Sequence, residues 1–519
     1  MFKKSWASSI FSNDLRIPFS LALLQLAVQI VFHGNYGYFR DELYYVACSK
    51  HLAFGYVDQP PLSIAILWAN RLLLGDSLQA LRFLPSLAGA GVVLLAALMA
   101  RQLGGGKFAQ GLAALSVVAA HGLFGHGQFF TMNPFDVLFW TLAGYVVILL
   151  LTRDKPRLWI LFGLVVGLGL LNKYSMGFMV IGLVAGLLFA EQRKQLATKW
   201  FWLGVAVAAI LFLPHVIWEI VYGFPSLEFM RNASGAKNVN LGVIGFLMGQ
   251  VRDMNIFNAP LWFGGIYFFY KHQEGRYRPL AWMYVVVFIL MVAGNAKVYY
   301  LSAIYPIFLA GGAVLFEQFV LQKSINWLKP VYASLLILVA LAFLPFTLPV
   351  LPVEEFIKYE HFLGIMPRAD ERSGVGELPQ YYTDQFGWKE MVDTVASVYR
   401  RLTPEEQSQC VIYVRNYGEA AAIDFFGKEY GLPNALCAHN SYWLWGPGQR
   451  TGNIAIIFGN SRNLEDNFFD LRHRYRHVEL AARTNAKYCM PYENGRMIFI
   501  CREMNTTFQK LWPTERFYI

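Results

Sequence analysis

Hydrophobic stretches long enough to cross a lipid bilayer recur from Leu15 to Leu351 and then stop. A helix rises about 1.5 Å per residue, so about 20 apolar residues cross roughly 30 Å of hydrocarbon. The chain is 56% hydrophobic and 15% charged over 519 residues, and its mean hydropathy is +0.38. We therefore predict a polytopic α-helical membrane protein, because backbone polar groups inside a bilayer must be paired within helices.

Helices placed between the basic loops give about eleven predicted transmembrane spans. Their predicted bounds are 15–33, 77–100, 107–124, 135–151, 157–171, 175–190, 200–220, 258–270, 279–294, 299–318 and 330–350. The stretch 63–74 holds Asn70 and Arg71, which is typical of an interfacial helix rather than a span. No signal-peptide cleavage site follows the first apolar stretch, so we expect that helix to be retained.

Charge predicts which side of the membrane each loop faces. Basic clusters alternate with loops that are poorer in positive charge, at Lys3/Lys4, Arg101/Lys107, Arg153/Lys155/Arg157, Arg193/Lys194/Lys199, Lys271/Arg276/Arg278 and Lys323/Lys329. Cytoplasmic loops carry the excess of lysine and arginine, which predicts a cytoplasmic N-terminus and, with an odd number of spans, an outer C-terminal part. Much of the net charge of +10 is thus explained by topology and does not indicate nucleic acid as a partner.

The predicted outer face collects the polar residues found at span ends. They lie in the loops 34–76, 121–133, 172–175, 222–258 and 294–300, and one site shared by several loops is the simplest explanation. The first of these loops holds the tandem carboxylates Asp41 and Glu42 and a third carboxylate, Asp58. Ionised groups at a bilayer edge are costly, so such a loop favours a functional role over a merely solvated connection.

The composition becomes mixed and polar after Leu351. We therefore predict a transmembrane domain over 1–351 and a soluble, extracytoplasmic α/β domain over 352–519. The period of the apolar pattern and the length of each run predict strands at 411–414, 435–438 and 454–458. They predict helices at 419–430 and 463–475. Glu493-Asn494-Gly495 between apolar runs predicts a hairpin across 488–501.

The five cysteines do not have the spacing of a metal site. Cys489 and Cys501 lie equally far from Gly495, which is compatible with a cross-strand disulfide or with two buried thiols. The chain shows no P-loop, dinucleotide fingerprint or zinc-protease helix motif. The run Gly104-Gly105-Gly106 indicates a turn rather than a phosphate cradle.

An outer-face enzyme has no nucleotide-activated donor, and a polyprenyl phosphate that diffuses in the bilayer can carry the activated sugar instead. Transfer from such a lipid needs a carboxylate to accept the proton of the acceptor and cations to hold the departing phosphate. A transporter or lipid flippase is the alternative function, and it predicts an internal repeat with polar residues near the bilayer midplane. A third interpretation, a structural or assembly protein, leaves the acidic first loop unexplained.

The first loop closely resembles that of bacterial dolichyl-phosphate-mannose protein mannosyltransferase-like proteins, which are GT-C membrane glycosyltransferases. Its matching motifs are Tyr38-Phe39-Arg40-Asp41-Glu42-Leu43-Tyr44-Tyr45 and Gly55-Tyr56-Val57-Asp58-Gln59-Pro60-Pro61-Leu62. The resemblance continues at Asn133-Pro134-Phe135-Asp136, Leu171-Asn172-Lys173-Tyr174-Ser175, Lys297-Val298-Tyr299-Tyr300-Leu301, Asn416-Tyr417-Gly418 and 439–447. It implies a GT-C fold and a multi-pass protein of the bacterial inner membrane.

The resemblance implies that Asp41 is the catalytic carboxylate, with Glu42 as its neighbour and Asp136 as a second acidic residue. It implies that Lys297 binds the donor phosphate, with Tyr299 and Tyr300 lining the lipid-phosphate pocket. Its implied helpers are Arg40, Lys173 and Arg231. Each position also has a structural explanation: Asp136 suits a helix N-terminus, Lys297 a snorkelling side chain, and Lys173 an anchor at a span end.

The implied reaction is inverting transfer of a sugar from a polyprenyl-phosphate donor to a hydroxyl or phosphate of a cell-envelope lipid, glycan or protein. Gln59 stands where relatives that add aminoarabinose to lipid A have lysine, so the phosphate contact of that lysine does not carry over, and neither does the acceptor class. Asp58 and Gln59 are candidates for acceptor or sugar binding, and some relatives suggest a divalent metal at Asp58, which stays open. Tyr442, Trp443 and Trp445 suit either a sugar-stacking platform or a core.

Overall fold

The computed structural model describes residues 15–153, 155–236, 240–367, 374 and 376–519. These residues form two compact units. The first unit holds 15–35, 73–218 and 240–352. The second holds 36–72, 219–236 and the described residues after 352, so the first loop belongs to the same unit as the C-terminal part.

The described residues are mostly helical. The α-helices are α1 Arg16–Phe32, α2 Arg40–Ser49, α3 Leu62–Leu74, α4 Leu78–Gln102, α5 Lys107–Val118, α6 His121–His126, α7 Met132–Arg153, α8 Leu158–Asn172, α9 Met176–Leu188, α10 Lys199–Val221, α11 Pro225–Ala236, α12 Gly242–Asp253, α13 Ala259–Lys271, α14 Arg278–Ala293, α15 Tyr305–Lys323, α16 Leu328–Ala342, α17 Val353–Phe362, α18 Gln380–Thr383, α19 Trp388–Tyr399, α20 Pro404–Gln409, α21 Tyr417–Phe426, α22 Ser441–Trp445, α23 Leu464–Arg472 and α24 Phe508–Leu511. Short 3₁₀ helices cover Glu191–Ala197, Ile256–Asn258, His272–Gly275, Val298–Ile304, Leu344–Phe346, Gly427–Tyr430 and Trp512–Thr514.

A helix occurs at each of the positions predicted to span the membrane. Among the described residues, four helical segments are long and apolar enough to cross a bilayer: Leu78–Gln102, Met132–Arg153, Lys199–Val221 and Val298–Lys323. Met176–Leu188 and Glu191–Ala197 pass together as a pair bent by 118°. The apolar character of the first unit is therefore confirmed, while the number of eleven spans stays a prediction.

Glycines let α13 and α15 approach closely in the first unit. A Cβ atom added at Gly312 would lie 1.8 Å from the carbonyl oxygen of Leu261, and one at Gly265 would lie 2.0 Å from that of Phe308. Small residues at a helix interface allow the extensive van der Waals contact that holds membrane helices together. A larger side chain at either glycine would force these two helices apart.

The glycine run 104–106 forms a turn before α5, as predicted. Glu317 of α15 reaches the start of α5, where its carboxylate accepts hydrogen bonds from the backbone N–H groups of Gly106 (2.6 Å) and Ala109 (3.1 Å). The first N–H groups of a helix have no partner within the helix and attract negative charge. This helix start is thus occupied by an internal carboxylate.

The second unit contains a five-stranded sheet in the order β2-β1-β3-β5-β4. Its strands are β1 Cys410–Val414, β2 Leu436–Cys437, β3 Ile454–Phe458, β4 Tyr475–Arg483 and β5 Met497–Met504. The strand β1 is parallel to both β2 and β3, while β5 is antiparallel to β3 and β4. The predicted α/β character of this part is confirmed.

The strands β1 and β3 lie where the sequence predicts them, and β2 is shorter than predicted. The predicted hairpin across 488–501 is wrong in its first strand, because β5 pairs instead with β4, which begins at Tyr475. The strand β4 has mostly exposed or half-buried residues, so it lacks the apolar run that signals a strand. All five cysteines are buried as free thiols, which agrees with the second of the two interpretations of Cys489 and Cys501.

Glu360 in α17 is a buried carboxylic acid. Its side chain is fully shielded from solvent, and neither carboxyl oxygen has a hydrogen-bond partner among the described residues. Burial raises the pKa of Glu360 to about 7, because removal from water disfavours the charged form. Such a group binds its proton more tightly in the folded state, so folding stability falls as the pH rises from the ordinary glutamate value towards 7.

We expect Glu360→Gln to raise the melting temperature of the full-length protein in detergent at about pH 8 and to change it little at about pH 5. The amide of glutamine cannot ionise, so the substitution removes the cost of a buried charge. That cost is present only at a pH where Glu360 would be charged. Glu355→Gln in the same helix is the matched control, because Glu355 is 55% exposed and pairs with Lys358 at 2.8 Å. Equal shifts at both pH values would contradict this assignment.

Candidate functional site

The helix α2 places Asp41 in its first turn. Phe39 is the N-cap residue, and its backbone N–H donates to Oε2 of Glu42 at 2.9 Å, which closes the helix start. The helix is buried from Glu42 to Ser49, whereas the side chain of Asp41 is 33% exposed. Negative charge is stabilised at a helix N-terminus, so the first turn of α2 is a favourable position for this carboxylate.

Two neighbours hold the carboxylate of Asp41 in place. The hydroxyl of Tyr417, the first residue of α21, donates to Oδ1 of Asp41 at 2.9 Å. Nε of Arg40 lies 3.6 Å from the same oxygen, and its guanidinium lies over the ring of Tyr417 at 5.5 Å. One oxygen of Asp41 is therefore oriented while the side chain keeps an exposed edge.

Arg40 is bound mainly to residues of the C-terminal part of the chain. It donates to the hydroxyl of Tyr492 at 2.7 Å, and its Nη2 lies 3.6 Å from Oδ2 of Asp384. Burial acts to lower the pKa of Arg40, but the Asp384 carboxylate and other neighbours raise it well above its usual range. This geometry explains Arg40 as a residue that positions Asp41, and its predicted role toward phosphate stays a prediction.

A buried network fixes the start of α21 and hence Tyr417. The side chain of Asn416 caps the helix at the N–H of Glu419 (3.0 Å), and Oε2 of Glu419 accepts from the N–H of Arg415 at 2.7 Å. Glu493 accepts from the amide of Asn416 at 2.8 Å, and Arg496 lies 3.3 Å from Glu419. Burial and the neighbouring Glu419 raise the pKa of Glu493 well above its usual range.

Sequence reasoning did not single out Tyr417 as a site residue. In the sequence, Asn416-Tyr417-Gly418 is only one of the motifs that carry the resemblance. The signal was present, because Asn416 followed three residues later by Glu419 is a capping-box pattern that places Tyr417 at the first position of a helix. Its contact with Asp41, 376 positions away, is invisible to a local pattern.

Asp58 and Gln59 lie at the far end of the first loop. The hydroxyl of Tyr44 in α2 donates to Oδ1 of Asp58 at 2.9 Å and accepts from the N–H of Ser441 at 3.2 Å. Burial and the charge of Asp58 raise the pKa of Tyr44, so the phenol stays protonated. Gln59 is buried, and neither atom of its amide has a hydrogen-bond partner among the described residues. A buried amide without a partner is costly, and the predicted roles of Asp58 and Gln59 in acceptor or sugar binding stay predictions.

The aromatic residues of α22 have identified contacts within this unit. Tyr442 is buried and donates to Asp424 at 2.8 Å, and Nε1 of Trp443 donates to the carbonyl of Trp512 at 2.9 Å. Trp445 stacks on His51 with ring centroids 4.2 Å apart. These contacts are those of a packed core, and the predicted sugar-stacking role stays a prediction.

A second polar cluster forms within the first unit around Lys173, which lies between α8 and α9. Its Nζ is 2.8 Å from Oδ1 of Asn133 and 3.4 Å from Oδ2 of Asp136, and Ser175 donates to Oδ1 of Asp136 at 2.6 Å. The side chains of Asp136 and Lys173 are only 3% and 10% exposed. Lys173 is therefore not a surface anchor.

Tyr299 and Tyr300 belong to the same cluster. The ammonium of Lys173 lies 4.7 Å from the ring centroid of Tyr300 and 5.6 Å from that of Tyr299. The structure thus brings four predicted residues together, along with Asn133 and Ser175, whose contacts the sequence did not indicate. Lys297 precedes the 3₁₀ helix that holds these tyrosines and is half-buried, while Arg231 of α11 is exposed. The predicted roles of Lys297 and Arg231 stay predictions.

No group of three or more histidine, cysteine, aspartate or glutamate side chains suited to a metal ion occurs among the described residues. Asp58, the candidate ligand, uses Oδ1 to accept from Tyr44. Carboxylate-bound cations usually need several oxygen ligands from the protein or its substrate. The residues at Asp58 therefore do not by themselves make a metal site.

The chain is similar to known proteins in sequence. Residues 58–218 match the dolichyl-phosphate-mannose-protein mannosyltransferase family. The chain is 24% identical over 269 residues to lipid A galacturonosyltransferase RgtD of Rhizobium johnstonii, covering 50% of this chain and 56% of that protein. It is 32% identical over 111 residues to the lipopolysaccharide core galacturonosyltransferase RgtA of the same organism, covering 19% and 22%. The chain thus spans about half the length of the first of these curated relatives and about a fifth of the second.

The fold is also similar to solved structures. ArnT from Cupriavidus metallidurans, solved with undecaprenyl phosphate, matches with a TM-score of 0.58 at 14% identity, over 93% of this chain and 97% of that one. The archaeal oligosaccharyltransferase AglB from Archaeoglobus fulgidus matches with a TM-score of 0.50 at 12% identity, over 81% and 64%. The predicted resemblance is therefore confirmed: this chain has the GT-C fold and is similar to the PMT/ArnT-like membrane glycosyltransferases.

Proposed function

We propose that this protein transfers a sugar, with inversion, from a polyprenyl-phosphate donor to a hydroxyl or phosphate of a cell-envelope lipid, glycan or protein. The observation that carries the proposal is the carboxylate of Asp41, which Tyr417 and Arg40 orient while its edge stays exposed. Two sequence relatives are named as galacturonosyltransferases of lipid A and of the lipopolysaccharide core. One structural neighbour was solved with undecaprenyl phosphate, which supports a lipid-phosphate donor.

Asp41 would act as the general base in this reaction. As the acceptor oxygen attacks the anomeric carbon, its proton passes to Asp41, the bond from that carbon to the phosphate oxygen breaks, and the polyprenyl phosphate leaves with the bonding electrons. Attack opposite the leaving group inverts the anomeric centre. Such a base typically contributes about 10²- to 10⁴-fold to the rate. Tyr417 supports this role by fixing one carboxylate oxygen.

The leaving phosphate needs positive charge, and Lys297 is our candidate for it on the basis of the resemblance. Arg231 is an exposed candidate helper, whereas Arg40 and Lys173 already contact carboxylates. Cations fixed in the protein can stabilise a monophosphate leaving group. No step proposed here passes through a metal, because Asp58 does not by itself form a ligand set.

The proposed location is the inner membrane of a bacterium, with the N-terminus in the cytoplasm and the first loop and C-terminal domain outside. The alternation of basic loops supports this orientation. Sugar donors on that side are carried by lipids, in agreement with the proposed reaction. A transporter or flippase would move a lipid-linked sugar without consuming it, so the assay below separates the two functions.

We expect membranes that contain the protein to convert undecaprenyl-phosphate-linked galacturonic acid, the first probe, to undecaprenyl phosphate and a glycosylated envelope product, both measured by mass spectrometry. Asp41→Asn should lower the rate at least about 100-fold, because the amide cannot accept the proton. Tyr417→Phe should lower it about tenfold, the value of one lost hydrogen bond to a charged group. Asp393→Asn, an exposed carboxylate in α19, is the matched control and should be fully active.

The assay has clear contrary outcomes. Full activity of a folded Asp41→Asn protein would overturn the role of Asp41. Absence of product with every lipid-linked sugar tried, together with movement of that lipid between leaflets, would replace the proposal by the flippase function. Melting temperatures of all variants in detergent distinguish loss of chemistry from loss of fold.

We expect Asp136→Asn to destabilise the protein by about 3–5 kcal/mol, because it leaves the buried ammonium of Lys173 without its carboxylate. The double variant Asp136→Asn with Lys173→Met should recover most of this loss, since neither buried charge remains. Ser175→Ala, which removes one hydrogen bond to Asp136, is the control and should cost about 1 kcal/mol. Denaturant or thermal unfolding in detergent gives the values.

The double variant also tests whether Lys173 helps to bind the donor. If the variant is stable and inactive, Lys173 or Asp136 acts in the reaction. If it is stable and active, the pair is structural, and the predicted helper role of Lys173 is wrong.

A further inference from the structure

The soluble sheet carries a cavity that the proposed reaction does not use. It has a volume of about 340 Å³, and Asp41 is not among the residues that line it. Its walls come from β1 and β3 with the residues that follow them, from α23, from the start of β4 and from the segment after β5. The lining residues include Tyr413, Arg415, Asn460, Phe469, Tyr475 and Phe508. Cavities of about 300–1,000 Å³ are typical of small-molecule sites.

The strand order explains why a crevice opens here. From the central strand β1, the chain passes to β2 on one side and then to β3 on the other, and all three are parallel. The carboxyl ends of β1 and β3 therefore lie at the same edge, where Arg415 follows the first strand and Asn460 follows the second. Ligands of open α/β sheets bind at such a reversal of strand order.

Two aromatic contacts lie at and beside the cavity. Tyr413 stacks on Phe508 with centroids 5.1 Å apart, while Phe468 of α23 packs on Phe499 of the sheet at 5.5 Å. The next residue, Phe469, lies about 100° further around the helix and cannot share that contact. Its side chain is 67% exposed and lines the cavity, so it offers an aromatic surface at the mouth.

The charged residues that line the cavity are Arg415, Asp470 and Arg474, and Asp470 is exposed on α23. Arg474 pairs with Glu515 at 2.8 Å, and the hydroxyl of Tyr413 donates to the other oxygen of Glu515 at 3.1 Å. Arg415 is half-buried, and its guanidinium has no hydrogen bond or ion pair to another side chain among the described residues. A half-buried cation in this state is a ready partner for an anion.

A second polar group in the wall also lacks a partner. Tyr475 is 1% exposed, and its hydroxyl has no hydrogen-bond partner among the described residues. This hydroxyl is shielded from solvent and Tyr475 packs in the core of the sheet, so it is not a contact for a ligand in the cavity. Arg415 and Asn460, which follow the carboxyl ends of β1 and β3, are thus polar groups of the cavity that a ligand can contact.

From these features we infer that the cavity binds a pyranose residue that carries a carboxylate or phosphate. The guanidinium of Arg415 matches either anion in a two-point contact. The exposed face of Phe469 suits the apolar face of a sugar ring, and the amide of Asn460 suits its hydroxyls. The site would hold an acidic sugar unit of an envelope glycan apart from the residues proposed for transfer.

Isothermal titration of the full-length protein in detergent tests this inference with four probes: galacturonic acid, glucose 6-phosphate, glucose and inorganic phosphate. At least one acidic sugar should bind about tenfold or more tightly than both glucose and phosphate, because ring and anion contacts are both needed. The comparison of galacturonic acid with glucose 6-phosphate identifies the anion. Equal binding of glucose and the acidic sugars, or no binding of either acidic sugar, would overturn the inference.

Variants assign the binding to this cavity. Arg415→Gln should weaken binding of the acidic sugar about tenfold or more and leave the weak binding of glucose unchanged. Phe469→Ala, at an exposed position that tolerates substitution, should weaken both. Arg476→Gln is the matched control, since Arg476 is 73% exposed, pairs with Glu503 and does not line the cavity. Unchanged affinity in a folded Arg415→Gln protein would place the bound sugar elsewhere and refute the assignment.

Discussion

The hydrogen bond from Tyr417 to Asp41 is the interaction on which the candidate catalytic group depends. It joins two helix starts, because Asp41 lies in the first turn of α2 and Tyr417 in the first turn of α21. Each start is closed by a glutamate, Glu42 in one and Glu419 in the other. The two capping carboxylates therefore fix the helix starts. This sets the position from which the phenol of Tyr417 holds the carboxylate of Asp41.

The cost of burying charge governs the other polar cluster. Lys173 and Asp136 are both shielded, and neither would be tolerable alone in an apolar helical unit. Asn133, Ser175 and the faces of two tyrosines complete the surroundings of the pair. A cluster in which the charges compensate each other can persist without a ligand, whereas Arg415 in the cavity of the sheet has no such compensation. This difference is why the cavity, rather than the ion pair, points to a further ligand.

Local pattern predicted much of the fold. Apolar runs located helices at every expected span, and β-branched runs located β1 and β3, because burial on both sides of a strand leaves a continuous apolar sequence. The strand β4 was not predicted, because the burial of its residues does not alternate regularly. Its pairing with β5 is what makes it a strand. Of the site residues, Asp136, Lys173, Tyr299 and Tyr300 were named from motifs, but their mutual contact required the fold. Tyr417 was not named, because its partner is 376 positions away.

The sequence by itself determined that this chain is apolar, multi-pass and similar to GT-C glycosyltransferases, because hydrophobic length and the first-loop motif are local properties. It also marked Asp41 as the leading carboxylate. Only the tertiary structure decided which groups orient that carboxylate, that Arg40 is bound to Asp384, and that Lys173 is an ion-pair partner rather than an anchor. It alone revealed the cavity beside Arg415, because a crevice between parallel strands follows from their order in the sheet, which no stretch of sequence contains.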